Sequence, residues 1–247
     1  MSGRAIERHA HRIVQRAGLP PVAERDVRLA LDAAHGGLAR LLELAGLEAQ
    51  LDFTCICERG AGILLMYAAA NLADDLADGD CDYLEAPERM GPGVLALLQS
   101  LGTCTLARTG LSAERLDGFL SNMIRAAGGQ QLELDTRSAG AWSLERTREV
   151  ASAIGGNQLA AYLLALWAGT PLEARASEIG LRLGSASQVA SDLRSADARV
   201  VELPSDERAQ LLAWAREQVE SLRTEKLSCL DSLLADLART LDAGCRP

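Results

Sequence analysis

Residues 61–82 read A-G-I-L-L-M-Y-A-A-A-N-L-A-D-D-L-A-D-G-D-C-D. The first ten form an unbroken apolar, small-residue run, and a helix that is apolar all round is a buried one. The stretch then packs five aspartates into the nine positions 74–82, with no basic residue among them. If the helix runs on to Asp78, then Asp74 and Asp78 lie one turn apart and Asp75 lies beside them. Like charges so placed repel one another, and a cation resolves the repulsion. An all-oxygen set suits a hard ion, and a few carboxylates completed by substrate phosphates is the usual arrangement for Mg²⁺. A solvated acidic loop that caps the following segment is the other reading. Both remain open from these residues alone.

Working outward, the chain has 247 residues, is 48% hydrophobic and carries a net charge of −9. The core can be large, and no basic patch marks a nucleic-acid surface. Twenty-four of the 25 basic residues are Arg, and Lys226 is the one lysine. A Schiff-base or Walker-type lysine is therefore nearly excluded. The three histidines, His9, His11 and His35, all come early and form no helical zinc-protease pair. The six cysteines are scattered, and no signal-peptide pattern opens the chain. Free buried thiols in a reducing cytoplasm are expected. No run of 18 apolar residues occurs, so no membrane span is expected.

Residues 1–20 are basic, end at Pro20-Pro21, and read as a short amphipathic arm. Residues 21–247 read as one all-α domain of about eight to ten helices. The predicted helices cover 22–50, with Gly36-Gly37 as a weak point, then 59–78, 94–107, 112–137, 143–169, 173–200 and 205–242. Pro87 and Pro92 are expected to bracket a loop. Ala, Leu, Arg and Glu dominate these segments, and all are good helix formers. No β-branched alternating run of any length occurs.

Two more polar sets stand on apolar helices. Gln130, Glu133 and Arg137 fall at i, i+3 and i+7, and Gln188, Ser191, Asp192 and Ser195 at i, i+3, i+4 and i+7. Each set makes one stripe, which by itself is equally the exposed polar face of a helix.

Together with D-D-L-A-D these sets resemble the class I isoprenoid synthases, specifically the polyprenyl synthetase family. The family's D-D-x-x-D is matched by Asp74, Asp75 and Asp78. Its G-G-Q-x-L-D-L is matched by residues 128–134, with Glu133 for Asp. Its second acidic motif, often Q-x-x-N-D-L-x-D, is matched by residues 188–195, with Ser191 for Asn and Ser195 for the later Asp.

The resemblance implies the type I isoprenoid synthase fold, a single-domain antiparallel helical bundle around a central apolar cavity. It implies Mg²⁺ held at Asp74, Asp75 and Asp78 and, more weakly, at Gln188 and Asp192. The catalytic set is then Asp74, Asp75, Asp78, Gln130 and Asp192. Substrate-binding duty falls on Arg59, Gln130, Glu133, Asn157 and Gln188. Ala69 and Ala70 leave a channel for the isoprenoid tail, and Tyr67, two turns deeper than Asp74 on the same face, is its floor. Gly155-Gly156 is a credible kink near the reacting carbons. The partner is an isoprenoid diphosphate, with no nucleic acid, and a cytoplasmic homodimer is implied.

The departures are specific. The G-K-R-x-R-P segment that holds isopentenyl diphosphate has no counterpart beyond Cys57-Glu-Arg59-Gly. The R-R-G after the first motif is replaced by Asp82-Tyr-Leu, and residues 150–167 contain no Lys or Arg. Binding two diphosphates needs compensating cations, and these residues supply them for one. Three functions therefore compete: a divergent prenyltransferase with an uncertain acceptor, a terpene cyclase acting on one diphosphate, and a non-catalytic helical subunit of a synthase. For the cyclase, Ser191-Asp192-x-x-Ser195 approaches the N-D-x-x-S-x-x-x-E motif, but Arg199 stands at the Glu position.

Overall fold

The computed structural model describes residues 3–34 and 37–244; Gly36, His35 and Cys245 lie outside the described residues. All regular structure among these residues is helical, with twelve α-helices and no strand. Contacts divide the chain into two compact units, Met1–Leu116 and Asp117–Pro247.

The first unit holds α1 (Arg4–Arg16), α2 (Pro21–Ala33), α3 (Leu38–Glu48), α4 (Phe53–Asp78) and α5 (Pro87–Arg108). The amphipathic α1 buries Ile6, Ala10 and Val14 and packs on α4. Helix α4 starts at Phe53, six residues before the predicted start, because the Asp52 carboxylate accepts a hydrogen bond from the Cys55 N–H at 2.9 Å. Such a cap satisfies an amide the helix cannot. Helix α4 buries 12 of its 26 residues, including Ile63, Leu64, Leu65, Met66 and Leu72. Burial of each such large side chain is worth roughly 1.5–3 kcal/mol. The closest partner is α5, and two glycines set that approach. A Cβ on Gly62 would meet the Leu106 side chain at 2.9 Å, and one on Gly102 would meet Met66 at 2.7 Å.

Helix α5 contains both Pro87 and Pro92, so the expected loop is shorter than the prolines suggested. Pro87 sits at the first helical position, where no N–H is needed. Pro92, the sixth residue of α5, lies past the first turn and costs one internal hydrogen bond.

The second unit is built from α6 (Ala113–Ala139), α7 (Leu144–Ala151), α8 (Asn157–Trp167), α9 (Ala176–Ser195), α10 (Ala198–Val201), α11 (Ser205–Arg223) and α12 (Asp231–Ala243). A π-helical turn, Ser152–Gly156, joins α7 to α8. It falls on the glycine pair expected to kink this helix, and π turns are a recognised cause of kinks. Helices α8 and α9 pack tightly, and a Cβ on Gly180 would overlap the Ala160 backbone. The predicted segment 173–200 is broken: α9 ends where Ala196 turns left-handed with φ 54°. Likewise 205–242 is split at Lys226, with φ 56°. These breaks raise the helix count above eight to ten, and alanine and lysine gave no warning of them because neither favours positive φ.

Three helical segments are long and apolar enough by length and composition to cross a membrane: Phe53–Asp78, Pro87–Arg108 and Leu144–Trp167. Isolated polar residues break the apolar runs in sequence without lowering mean hydropathy much. In the first and third, 61% and 67% of the apolar window is buried within the protein, against 28% in α5.

Candidate functional site

The first acidic cluster closes α4. Gly79 takes a left-handed φ of 77° and donates its N–H to the Asp75 carbonyl, which ends the helix just after Asp78. The Asp80 N–H donates to the same carbonyl at 2.8 Å. The chain then turns back, and the Tyr83 hydroxyl donates to Asp75 Oδ2 at 2.7 Å. Asn71 Nδ2 donates to that oxygen at 2.9 Å. Asp75 is thus held from its own helix and from the following loop. Burial pushes its carboxyl above the usual range, the Tyr83 hydrogen bond opposes this, and the charges of Asp80, Asp78 and Asp82 add to it.

On this half of α4 the residues Tyr67, Ala70, Asn71, Asp74 and Asp75 are half-buried and Asp78 is exposed, one stripe at helical spacing. Ala68 and Ala69 turn inward and are fully packed. The Tyr67 hydroxyl is pushed up by burial, then by the charges of Asp75 and Asp74, so it shares their field. Arg59 lies in the first half of the same helix and is partly exposed.

The second cluster lies in the other unit. Helix α6 buries Phe119, Asn122, Ala126, Gly129, Glu133 and Thr136, spaced alternately by three and four residues. Glu133 is therefore in the core, and Gln130 and Arg137 lie on its turn. Gln130 Nε2 donates to Glu133 Oε2 at 3.2 Å, and Arg137 pairs with Glu133 Oε1. On α9 the four polar residues share a face but differ in burial. Asp192 is 2% exposed and takes a hydrogen bond from Gln188 Nε2 at 2.9 Å. Ser191 and Ser195 are exposed, and the Ser195 hydroxyl returns to the carbonyls of Ser191 and Asp192. Ser191 and Ser195 lie on one side of this face and Asp192 on the other, and the serine side is the one turned to solvent.

Arg199 joins these carboxylates. Its Nη1 lies 3.1 Å from Glu133 Oε2, its Nη2 3.2 Å from Asp192 Oδ1, and its Nε 3.1 Å from Asp197 Oδ1. Burial pushes the Asp192 carboxyl up to about 6, against the opposing pull of Arg199 and the Gln188 hydrogen bond. Asp197 stays below the usual range: burial would raise it, but the Arg199 hydrogen bonds and charge outweigh that. Neither Tyr83 nor Arg199 was assigned a role from the sequence. Tyr83 reaches Asp75 across a turn, where helical spacing carries no information, and Arg199 stood out only as the wrong residue at a cyclase motif's last position.

Asn157 is occupied by structure. Its Nδ2 donates to the carbonyls of Ser152 at 3.3 Å and Ala153 at 3.0 Å. The Ser152 carbonyl also accepts the Asn157 backbone N–H, so this amide adds to the backbone bonds of the π turn.

The first cluster suits a hard divalent ion: its donors are carboxylate oxygens, and the charges acting on Asp75 are those of further carboxylates. Among the described residues no three His, Cys, Asp or Glu side chains form a ready-made cage. Mg²⁺ commonly keeps waters and phosphate oxygens in place of an all-protein cage. The second cluster does not fit a metal, because a guanidinium already lies among its oxygens. A cavity of about 530 Å³ in the first unit, bordered by His9, Arg16, Leu101, Cys104 and Arg108, contains none of the residues expected at the site.

No protein-family model matches the sequence, and no curated protein matches it. Solved structures do match, which defines the class of the fold. An isoprenoid synthase family member from Thermotoga neapolitana superposes with a TM-score of 0.75 at 18% identity, covering 96% of this chain and 98% of that one. A geranyltranstransferase from Thermotoga maritima gives 0.78 at 16% identity, covering 96% of each chain. A geranylgeranyl pyrophosphate synthase from Corynebacterium glutamicum, complexed with isoprenyl diphosphate and magnesium, gives 0.62 at 17% identity, covering 99% and 98%. The chain has the all-α class I isoprenoid synthase fold.

Proposed function

We propose that the chain is a Mg²⁺-dependent prenyltransferase that ionises an allylic isoprenoid diphosphate. The observation that carries this is the acidic end of α4, with Asp75 held by Tyr83 and Asn71, on an isoprenoid synthase fold. Asp74, Asp75 and Asp78 would hold the ion. When bound, it supplies Lewis-acid neutralisation of the charge on the departing pyrophosphate. The residues of the chain do the rest. Tyr83 and Asn71 orient Asp75, and the stripe of Ala70 and Tyr67 receives the apolar tail.

For the homodimer that the resemblance implies, the contact proposed is α5, where Leu95, Leu97 and Leu101 are half-buried. The net charge of −9 argues against a nucleic-acid partner, and a cytoplasmic setting fits the thiols of Cys57 and Cys81, which are unbridged and buried.

The acceptor is the open half of the reading. Arg137 and Arg199 are both spent on carboxylates, so neither offers its charge to a second diphosphate. That observation favours reactions that use one diphosphate, including the cyclase reading. The test is incubation with Mg²⁺ and geranyl, farnesyl or geranylgeranyl diphosphate, each with and without isopentenyl diphosphate, followed by mass analysis. Mg²⁺-dependent pyrophosphate release is expected, with little elongation at micromolar isopentenyl diphosphate. The double substitution Asp74→Asn, Asp75→Asn should abolish release. Near-normal release by that variant refutes the metal role of α4.

A further inference from the structure

In the second unit, one guanidinium stands where three elements bring their carboxylates together. Arg199 is 9% exposed in its side chain, Glu133 2% and Asp192 3%. Glu133 comes from α6, Asp192 from α9, and Asp197 from the turn before α10. The fork of Arg199 uses both ends on Asp197, with Nε 3.1 Å from Oδ1 and Nη2 3.2 Å from Oδ2. Nη1 and Nη2 lie within ion-pair distance of Glu133 and Asp192 at the same time, while the hydrogen bonds of the fork go to Asp197 and Nη1 makes none. Such planar, multi-pronged pairing is what Arg does and a compact ammonium does not.

The guanidinium is also fixed from behind. Asp197 caps α10 by accepting the Arg199 backbone N–H at 2.8 Å. The Arg199 carbonyl accepts the hydroxyl of the fully buried Thr147 at 3.2 Å. Swinging the side chain out would break an ion-pair network in a low-dielectric interior and leave buried carboxylates unpaired.

Charge balance points the same way. Glu133, Asp192 and Asp197 are opposed by Arg199 and Arg137, so the cluster is close to neutral already. A divalent ion would overcharge it. Asp192 Oδ2 is buried without a hydrogen-bond partner, and it is the one Asp192 oxygen not already engaged. One oxygen is too little for an ion that demands a near-ideal octahedron.

We propose that Arg199 is a tethered cation that takes the place of a metal ion at the second acidic motif, so that the chain binds divalent cations at the α4 cluster alone. The placement of Arg199 stands on its own geometry; its effect on turnover rests on the function proposed above. Arg199 is then a positioning residue. It holds Glu133 and Asp192, and through them Gln130 and Gln188, in one arrangement whether or not divalent cation is present.

The test is anomalous diffraction from crystals of the full chain soaked in MnCl₂ with inorganic pyrophosphate. Manganese is expected at Asp74, Asp75 and Asp78, with the Arg199 guanidinium unmoved between Glu133 and Asp192. A manganese ion bonded to Asp192 or Glu133 overturns the proposal. Manganese at neither cluster, with Arg199 in place, refutes the metal role of α4 in the proposed function and leaves standing that Arg199 takes the place of a metal ion at the second motif. In solution, Arg199→Gln should open the site. MnCl₂ should then raise its melting temperature about 5 °C more than it raises that of the native chain. Adding Asp192→Asn should remove that extra rise. Arg199→Lys keeps a positive charge in place and should show no extra rise. Equal manganese shifts in the native chain and Arg199→Gln overturn the proposal, and the crystal measurement on the native chain does not depend on how the variants fold.

Discussion

At the scale of single residues, Asp75 is governed by what touches it. Its Oδ2 accepts two hydrogen bonds, from Asn71 and Tyr83, while burial and three neighbouring carboxylates disfavour its charge. The hydroxyl is the stronger restraint, since it comes from outside the helix and fixes the carboxylate against the loop. Tyr83→Phe removes one donor and leaves the ring. Partners of this kind, one step removed from an ion, change affinity by 10–100-fold when lost. Tyr83→Phe is expected to raise the Mg²⁺ concentration needed for half-maximal pyrophosphate release roughly 10-fold. A magnesium titration of release, beside an unchanged helical circular dichroism spectrum, checks it.

At the scale of elements, close approach of helices is bought by glycine. A Cβ on Gly184 of α9 would overlap the Gly155 carbonyl in the π turn, and that obstacle is backbone, which cannot rotate away. Gly184→Ala is expected to cost about 3 kcal/mol or more, at the upper end for overpacking. Gly118 of α6 has nothing within 4 Å of the position a Cβ would take. There Ala should stabilise by roughly 0.4–1 kcal/mol, because it restricts the unfolded chain and suits a helix. Urea unfolding of the two variants should therefore move in opposite directions. On α4 the half-buried stripe sets another contrast. Ala70 lies in line with Asp74, whereas Ala69 points into the core. Under the proposed function, Ala70→Phe should shift preference toward shorter diphosphates with Mg²⁺-dependent release intact, and Tyr67→Ala should shift it toward longer ones. An unchanged length distribution in both variants, read by mass spectrometry, would mean that the tail does not run along this helix.

At the scale of the whole molecule, α5 is apolar enough to span a membrane, yet 28% of its apolar window is buried. Leu95, Leu97 and Leu101 are half-buried on it, side chains that a further contact would cover. On the proposed reading the cover is a second copy, so sedimentation equilibrium at micromolar concentration should return twice the 26.2 kDa chain mass. Replacing the half-buried Leu97 by Glu should shift that equilibrium toward the monomer by leaving a charge in the contact. A native chain that sediments as a monomer would remove the dimer from the proposal.

The sequence by itself determined the fold class, because helix formers, apolar periodicity and the absence of alternating runs act locally and need no partner. It also determined where the acidic run ends its helix, since Gly79 is the residue that tolerates the left-handed stop. It showed the glycine pair that becomes a π turn. It misplaced the starts of α4 and α5 and missed the breaks at Ala196 and Lys226, which depend on a cap, a tolerated proline and unusual φ angles. Tertiary structure alone decided what each charged group faces. Asn157 serves the backbone of its own π turn, Ser191 and Ser195 look outward, and Tyr83 returns to Asp75. Arg199, a mismatch in a linear motif, becomes the centre of three carboxylates drawn from positions 133, 192 and 197. Linear spacing reports which residues share a helical face. It carries no information about a guanidinium on another helix, and at a charged cluster the nearest opposite charge settles the chemistry.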